Sequence, residues 1–392
     1  MKFFHLSDLH IGLKLMNQDL REDQEYIFKQ IASLAKREQP DAILIAGDIY
    51  DKAVPSAEAV EIFDHFMADL TEAVPAAAIM LISGNHDSAP RVNCFRSVLS
   101  RQRLYMIGNP PQQEYEHMEK VTLKDAYGKV NFYLLPFVKP SMVKAIVGTD
   151  ENGNNLSYDA TLRALIRREE IDENERNVLV SHQFYLPSGQ DAVSVERMDS
   201  EVCTVGNIDA VSADMLNIFD YVALGHIHKP MKVGSDCLRY CGTPLACSVS
   251  EAGQEKQVLM VELSKKEESW QNWIHITGLP LHPLRQVRVV RGTLEDVLEK
   301  ACEDYVTVIL TDKELTPGPD IQDRIRMAFP YLLEIRREYM RSAVYEDAVK
   351  AEEILDPYAL CCSFLNDPDK EEQEVLRDVI NQVLSEDSKL KT

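Results

Sequence analysis

The chain has 392 residues, 45% of them hydrophobic and 27% charged, and a formal net charge of −22 at pH 7. That length calls for two or three domains and supports a sizeable core. The acidic balance excludes nucleic-acid binding by bulk electrostatics, because phosphate contacts demand positive charge; a polyanionic substrate would need local basic patches, bound cations or a partner.

No apolar run approaches the ~20 residues that cross a bilayer. The opening Met1–Asp8 stretch meets a carboxylate too early for a signal peptide. Eight cysteines stand at irregular spacings without a C-x-x-C pair, so neither a disulfide framework nor a zinc knuckle is expected. These features predict a cytoplasmic protein with reduced thiols and no membrane segment.

In chain order, short apolar runs predict strands at Lys2 to Leu6, Ala42 to Ala46, Ala76 to Ile82, Phe132 to Phe137, Val178 to Val180 and Tyr221 to Leu224. Continuously apolar runs suit strands covered on both faces. Helical periodicity occupies Arg21 to Arg37, closed by Pro40, then Ser56 to Leu70 and Arg91 to Gln102. Strands alternating with helices indicate an α/β sheet. Asp150 to Ser157 reads as a loop. Leu279 to Pro283 marks a boundary. Beyond it the pattern predicts strand Gln286 to Val290, helix Leu294 to Cys302, strand Tyr305 to Thr311, helix Ile321 to Ala328 and strand Tyr331 to Ile335, a small α+β domain. From Tyr345 two helical stretches flank Asn366 to Asp369.

Several strands run into metal-ligand chemistry: Asp8-Leu9-His10, Gly47-Asp48 with Asp51, Gly84-Asn85-His86-Asp87, Ser181-His182 and Gly225-His226-Ile227-His228. Ligands of α/β sheets collect beyond the carboxyl ends of strands, so these segments are expected to converge. In D-x-H and H-x-H the two side chains share one face of an extended segment, and the glycines permit tight turns. Mixed carboxylate, imidazole and amide donors suit Mn²⁺, Fe²⁺ or Zn²⁺ better than Mg²⁺ or Ca²⁺. The set is too large for one ion and fits two, which together generate a nucleophile and clamp a phosphoryl group. Asp48 is the natural bridge. Taken singly, D-x-H or H-x-H is as well explained by surface or core histidines; their ordered company carries the reading. His5, His65, His117, His275 and His282 lack such company and read as structural.

The ordered set D-x-H, G-D-x-x-D, G-N-H-D, H and G-H-x-H resembles the calcineurin-like metallophosphoesterases over residues 1 to 250. The stretches KFFHLSDLHIG, ILIAGDIYDKAVPSAEA, ISGNHDSAPR, LGHIHKP and CGTPLACSVSEA are similar to the SbcD family of bacterial nuclease subunits. The resemblance implies a four-layer αββα sandwich at 1–281, a DNA-capping domain at 282–341 and a helical tail at 345–392. It also implies two Mn²⁺ ions, one held by Asp8, His10, Asp48 and His228, the other by Asp48, Asn85, His182 and His226. His86 would contact the phosphate and assist the leaving oxygen, as an imidazole near neutral pKa can. For Asp51 and Asp87 our reading is orientation of the histidines.

The implied activity is hydrolysis of DNA, as a 3′→5′ exonuclease and as an endonuclease on single strands and hairpins. Implied partners are DNA and SbcC, a coiled-coil ABC-type ATPase. A homodimer through Ser56 to Leu70 and Arg91 to Gln102, inside a heterotetramer, is also implied. Arg324, Arg326, Arg336, Arg337 and Arg341 could form a phosphate-contacting patch or an ion-paired surface. The tail carries thirteen acidic against five basic residues, so it is a poor DNA binder. Its apolar residues suit docking on the ATPase or packing on its own domain. A phosphatase or cyclic-nucleotide phosphodiesterase on the same site, and a silent scaffold, are the rival functions.

Overall fold

Alternation along three short strands sets the architecture. In Ala42–Ala46, Ala78–Ile82 and Lys2–Leu6, odd and even side chains enter different hydrophobic clusters. Phe3, Leu44 and Met80 face one way; Phe4, Ile43 and Leu81 face the other. Such strands are buried on both sides, as the two-residue period of a covered sheet requires. In this computed structural model, residues 1–187, 189, 198–201, 209–312 and 319–338 are described.

In chain order the strands are β1 Lys2–Leu6, β2 Ala42–Ala46, β3 Ala78–Ile82, β4 Leu104–Ile107, β5 Glu119–Asp125, β6 Gly128–Leu135, β7 Arg176–His182, β8 Tyr221–Gly225, β9 Met231–Val233, β10 Ser235–Tyr240, β11 Lys256–Leu263 and β12 Ile274–Leu281. They form two six-stranded sheets, ordered β12-β11-β1-β2-β3-β4 and β9-β10-β8-β7-β6-β5. Strands β1, β2 and β3 run parallel, as do β6, β7 and β8. One core lies between the sheets, where Phe3 meets Phe132 and Tyr221 edge to face.

Helices α1 (Arg21–Glu38) and α2 (Ala57–Ala73) cover the outer face of the first sheet. Their seam is a stacked pair, Phe28 on Phe66, with ring centroids 4.4 Å apart. Glu22 and Asp23 open α1 and Lys36 and Arg37 close it, matching the helix dipole. Gln39 then takes a left-handed conformation and Pro40 prevents continuation. Ser56 caps α2 by accepting from the Ala59 amide at 3.3 Å. Helix α3 (Tyr158–Arg167) packs Leu162, Leu165 and Ile166 into the cluster of the second sheet. The molecule is an α/β protein, as the alternating pattern indicates.

Past β12 come β13 Val287–Gly292, α4 Leu294–Leu298, β14 Tyr305–Leu310, α5 Pro319–Ala328 and β15 Leu332–Arg337, with a three-stranded sheet ordered β13-β14-β15. Val297, Val306, Val308, Ile325 and Phe329 form a cluster of their own. Residues 1–336 make one compact unit. The tail expected at 345–392, and Arg341, lie outside the described residues.

One expectation is corrected. Arg91 to Gln102 is not one helix but the turns Ala89–Val92, Arg96–Leu99 and Ser100–Gln102, interrupted where Phe95 adopts φ 58°. The Asn93 side chain accepts from the Gly108 amide at 3.2 Å, pinning the chain where a helix would continue. Strand β12 runs into the Leu279 to Pro283 stretch and ends at Leu281, and Pro280 is tolerated because β12 is an edge.

A nearly buried ion pair ties β5 to β7. Arg176, 2% exposed, donates Nη1 to Asp125 Oδ2 at 2.9 Å and also reaches three carbonyls. Burial opposes the Asp125 charge, but the guanidinium prevails and holds its carboxyl well below the usual range. Asp125→Asn is expected to lower stability by about 3 kcal/mol, since it strands a buried cation. A carboxyl whose pKa is depressed on folding stabilises the fold above its unfolded value of about 3.9. That contribution disappears as pH falls toward the folded-state value. Urea unfolding at pH 7 and pH 3 checks this: the gap between wild type and variant should shrink on acidification.

Candidate metal centre

Parallel strands deliver their carboxyl ends to one edge of the sandwich, and the motif loops meet there. The loops after β1 and β2 are zipped by Asp8 N–H to Gly47 O (2.9 Å), His10 N–H to Asp48 O (3.0 Å) and Ile11 N–H to Ile49 O (2.9 Å). The conformation of these loops is not extended. Asp8 (φ 52°), His10 (φ 43°), Asp48 (φ 48°) and His226 (φ 102°) all have positive φ. Alternation along a strand therefore does not explain why D-x-H and H-x-H converge; kinked turns do. Non-glycine residues in this region are costly, and such strain concentrates at functional sites. Close approach demands glycine at two points. A Cβ at Gly84 would lie 2.1 Å from Asp48 Oδ1, and one at Gly47 2.3 Å from His182 Nδ1.

All eight expected site residues come together. Asp8, His10 and His228 form one group of potential ligands, and Asp8, Asp48 and His182 form another. Asn85 Oδ1 lies 3.0 Å from His182 Nε2 and 2.8 Å from His226 Nδ1. Asp48 stands between: its Oδ2 is 3.3 Å from His182 Nε2 and 3.8 Å from His10 Nε2, while Oδ1 accepts from the His86 amide at 2.9 Å. His86 is half-buried; Asp8, His10, Asp48, His182, His226 and His228 are buried.

The donor set fits divalent cations. His182 gives Nδ1–H to the Ala46 carbonyl at 2.7 Å, which leaves the Nε2 lone pair aimed at Asp48 and Asn85. His228 Nδ1 is engaged by Ser200 at 2.7 Å, and its Nε2 faces His10 Nε2 at 3.1 Å. Among the described residues no lysine or arginine pairs with Asp8 or Asp48. Two buried carboxylates in such company need a cation. Burial, aided by His228, lowers the His10 pKa to about 3. Burial acts likewise on His182, but Asp48 overcomes it and raises that pKa to about 9.

A family model described as calcineurin-like phosphoesterase matches residues 1–230. The chain belongs to that family. A second model, described as the type 5 capsule protein repressor C-terminal domain, matches residues 280–367. The SbcD subunit of the SbcCD nuclease of Staphylococcus saprophyticus is 31% identical over 305 residues, spanning 77% of this chain and 75% of that protein. Among solved structures, a dimetal phosphatase from Danio rerio aligns with 74% of this chain and 99% of its own at 13% identity and a TM-score of 0.42. The protein TT1561 of Thermus thermophilus aligns with 71% of this chain and 98% of its own at 12% identity and a TM-score of 0.38. The chain is accordingly a metal-dependent phosphoesterase.

Around the phosphoesterase centre, Asp51 Oδ1 lies 3.9 Å from His10 Nδ1, beyond hydrogen-bond distance, and it is the Asp51 carbonyl that engages a histidine, 2.9 Å from His86 Nδ1. Asp87 accepts from the amides of Ile49 (3.0 Å), Tyr50 (2.9 Å) and Gly84 (2.9 Å), fastening the Asp48 loop to the Asn85 loop. His5 is structural, as read: it is buried and bonds Tyr221 and the Leu224 carbonyl.

A buried network behind His228 escaped the sequence reading. Ser200 bridges His228 to Glu251 Oε1 at 2.9 Å, and Glu251 is held by Lys256 (2.6 Å), Thr243 (3.0 Å) and Ser248 (3.1 Å). Glu201 accepts from the His228 amide at 2.9 Å. A carboxylate behind a histidine ligand sets its tautomer and basicity. The serines and Glu251 of CSVSEA were the available signal, but nothing local ties them to a histidine more than twenty positions away. Ser200→Ala is expected to weaken divalent-metal binding about tenfold, read by calorimetric titration, with little change in unfolding temperature.

Proposed function

We propose that this phosphoesterase is the nuclease subunit of an SbcCD-type complex, cleaving DNA phosphodiesters with two Mn²⁺ ions. One ion would be held by Asp8, His10, Asp48 and His228, the other by Asp48, Asn85, His182 and His226. The observation that carries this reading is the position of Asp48, whose single carboxylate reaches histidines of both groups. A metal pair so placed supplies Lewis acidity and an activated nucleophile.

The protein's own contribution centres on His86. Its Nδ1 lies 2.9 Å from the Asp51 carbonyl, which fixes a proton there and orients the ring. A protonated His86 then carries its second proton on Nε2, available to the departing oxygen of the broken ester. His10 meets the His86 ring edge to face, with centroids 4.9 Å apart. A cleft of about 510 Å³ opens beside Asp51, where Lys14, Arg21 and Lys52 are balanced by Asp19, Asp51 and Glu58.

The DNA substrate and the ATPase partner SbcC are inferred from the relative's identity as a subunit of SbcCD. Activity as a 3′→5′ exonuclease and as a single-strand and hairpin endonuclease, under ATP control, follows the same reading. We assign residues 1–281 to the nuclease domain, 282–341 to the DNA cap and 345–392 to ATPase docking. Basic residues of the cap are already engaged in part: Arg288 pairs with Asp304, Arg326 with Asp323 and Arg336 with Glu334. The ion-paired surface thus accounts for much of that stretch. Exposed Val60 on α2 and Phe95 and Val98 in the turns after β3 favour a homodimer through Ser56 to Leu70 and Arg91 to Gln102. No helix among the described residues is long and apolar enough to cross a membrane.

The test is incubation with Mn²⁺ and labelled hairpin DNA, alone and with the ATPase and ATP. Nucleotide release is expected. His86→Ala should reduce cleavage by roughly 10²–10⁴-fold while Mn²⁺ binding persists. Turnover of small phosphoesters without DNA cleavage would favour a phosphatase instead.

A further inference from the structure

Two neighbouring residues in the first turn of α1 face different parts of the molecule. Gln24, 3% exposed, is bonded twice to the D-x-H loop: Nε2 donates to the His10 carbonyl at 2.8 Å, and Oε1 accepts from the Gly12 amide at 3.0 Å. Asp23, fully buried, is bonded twice to the small domain. Its Oδ2 accepts from the Tyr305 hydroxyl at 2.7 Å and from Arg285 Nη1 at 3.0 Å. The Arg285 guanidinium also lies over the Tyr331 ring, 4.3 Å from its centroid, and reaches Glu22 at 2.7 Å.

These contacts are not surface decoration. A buried carboxylate must be compensated, and here its hydrogen-bonded partners are all supplied by the small domain. Seven residues on, Gln30 exchanges two bonds with the backbone of His282, at 2.8 and 3.2 Å. One face of α1 is therefore fastened to the small domain at two points two turns apart. Gln24, one residue further round the helix, carries that fixed position to the backbone flanking His10. At the α1 N-terminus Leu20 supplies no side-chain cap and Asp19 accepts only from the Arg21 amide, at 3.0 Å, so the bonds of Asp23 and Gln24 add to what fixes the first turn.

We propose that Gln24 is a positioning residue for His10, and that the Asp23–Arg285–Tyr305 latch makes its position depend on how the small domain is seated. A ligand that moves the small domain thereby changes metal affinity without touching a metal ligand. This inference rests on the reading of Asp8 and His10 as ligands.

The experiment measures Mn²⁺ affinity of the full chain by calorimetry, without DNA, and Mn²⁺-dependent hydrolysis of bis(p-nitrophenyl) phosphate. Gln24→Met preserves length but bonds neither loop group; its Mn²⁺ affinity should fall about tenfold. Tyr305→Phe removes one hydroxyl over 250 residues away in sequence and should lower affinity about threefold, a coupling of ordinary size. Its unfolding temperature and circular dichroism report whether it stays folded, and Asp23→Asn serves as the second latch variant. Combined with Gln24→Met, Tyr305→Phe should add little, because both act through one contact. Wild-type affinity in both latch variants, or fully multiplicative losses in the double variant, overturns the coupling. A wild type that takes up no Mn²⁺ overturns the metal reading itself, and the coupling with it.

Discussion

Two buried carboxylates without a lysine or arginine partner form the constraint on which the rest of the structure depends. Asp8 and Asp48 lie under 2% exposed among imidazoles, where an uncompensated negative charge costs several kcal/mol. Burial opposes both charges; for Asp48 the His182 imidazole more than offsets it and holds that carboxyl well below its usual range, and only for Asp8 is the offset partial. Asp8 accepts from the Ser7 hydroxyl and the His226 amide, Asp48 from the His86 amide. Burial still drives the Asp8 pKa upward. An arrangement this unfavourable persists because the sandwich over-determines it. Each loop begins at a strand locked in register on both sides, and the kinked residues are tied by backbone bonds to the next loop. The stability of two large sheets is set against strain at one edge. A bound cation pair reverses the sign of the local electrostatics and turns the cluster from a burden into a source of stability.

How much of this was legible in the sequence follows from where each interaction is encoded. Strands β1 and β2 were read at their true bounds because every residue of β2 and three of the five in β1 are apolar, and strand length decides between strand and helix. Antiparallel strands were missed, among them β5, β9, β11 and β12; the last two show why. Their partly exposed faces, with Glu262, His275 and Thr277, blur the apolar run, and β12 contains a proline. The candidate metal-site residues were legible because most of them sit within two or three positions of one another in motifs. Residues that orient them were not. Gln24, Ser200 and Glu251 act across separations that only the fold creates, and polar residues of those kinds are ordinary anywhere on a surface.

The error over D-x-H geometry is instructive in physical terms. Period-two alternation puts Asp8 and His10 on one face only if the backbone is extended, and both residues have left-handed φ instead. The expectation of convergence survived because the strand-end position, rather than the alternation, brings the loops together. Asp87 shows the complementary error. Its place in G-N-H-D suggested a partner for histidine, yet three backbone amides claim it. A carboxylate accepting several N–H bonds holds two loops at a fixed distance. For a centre that shares one aspartate between two histidine groups, that spacing matters as much as histidine orientation.

The acidity of the chain bears on specificity once the centre is understood. A formal charge of −22 repels a polyanion at long range, so unguided association with nucleic acid is weak. Attraction is confined to places where cations are concentrated, above all the centre itself when loaded. On the proposed function, such a distribution favours cleavage only when another subunit presents the substrate. Hydrolysis of a chromosome's phosphodiesters is harmful wherever it is unregulated, and a repulsive exterior around a reactive edge limits it. The small domain lies on the route from presentation to chemistry, since its Arg285 and Tyr305 hold the helix that steadies the His10 loop. On the two proposals together, net charge and latch would act at different ranges toward one end, keeping the metal centre dependent on what is bound beside it.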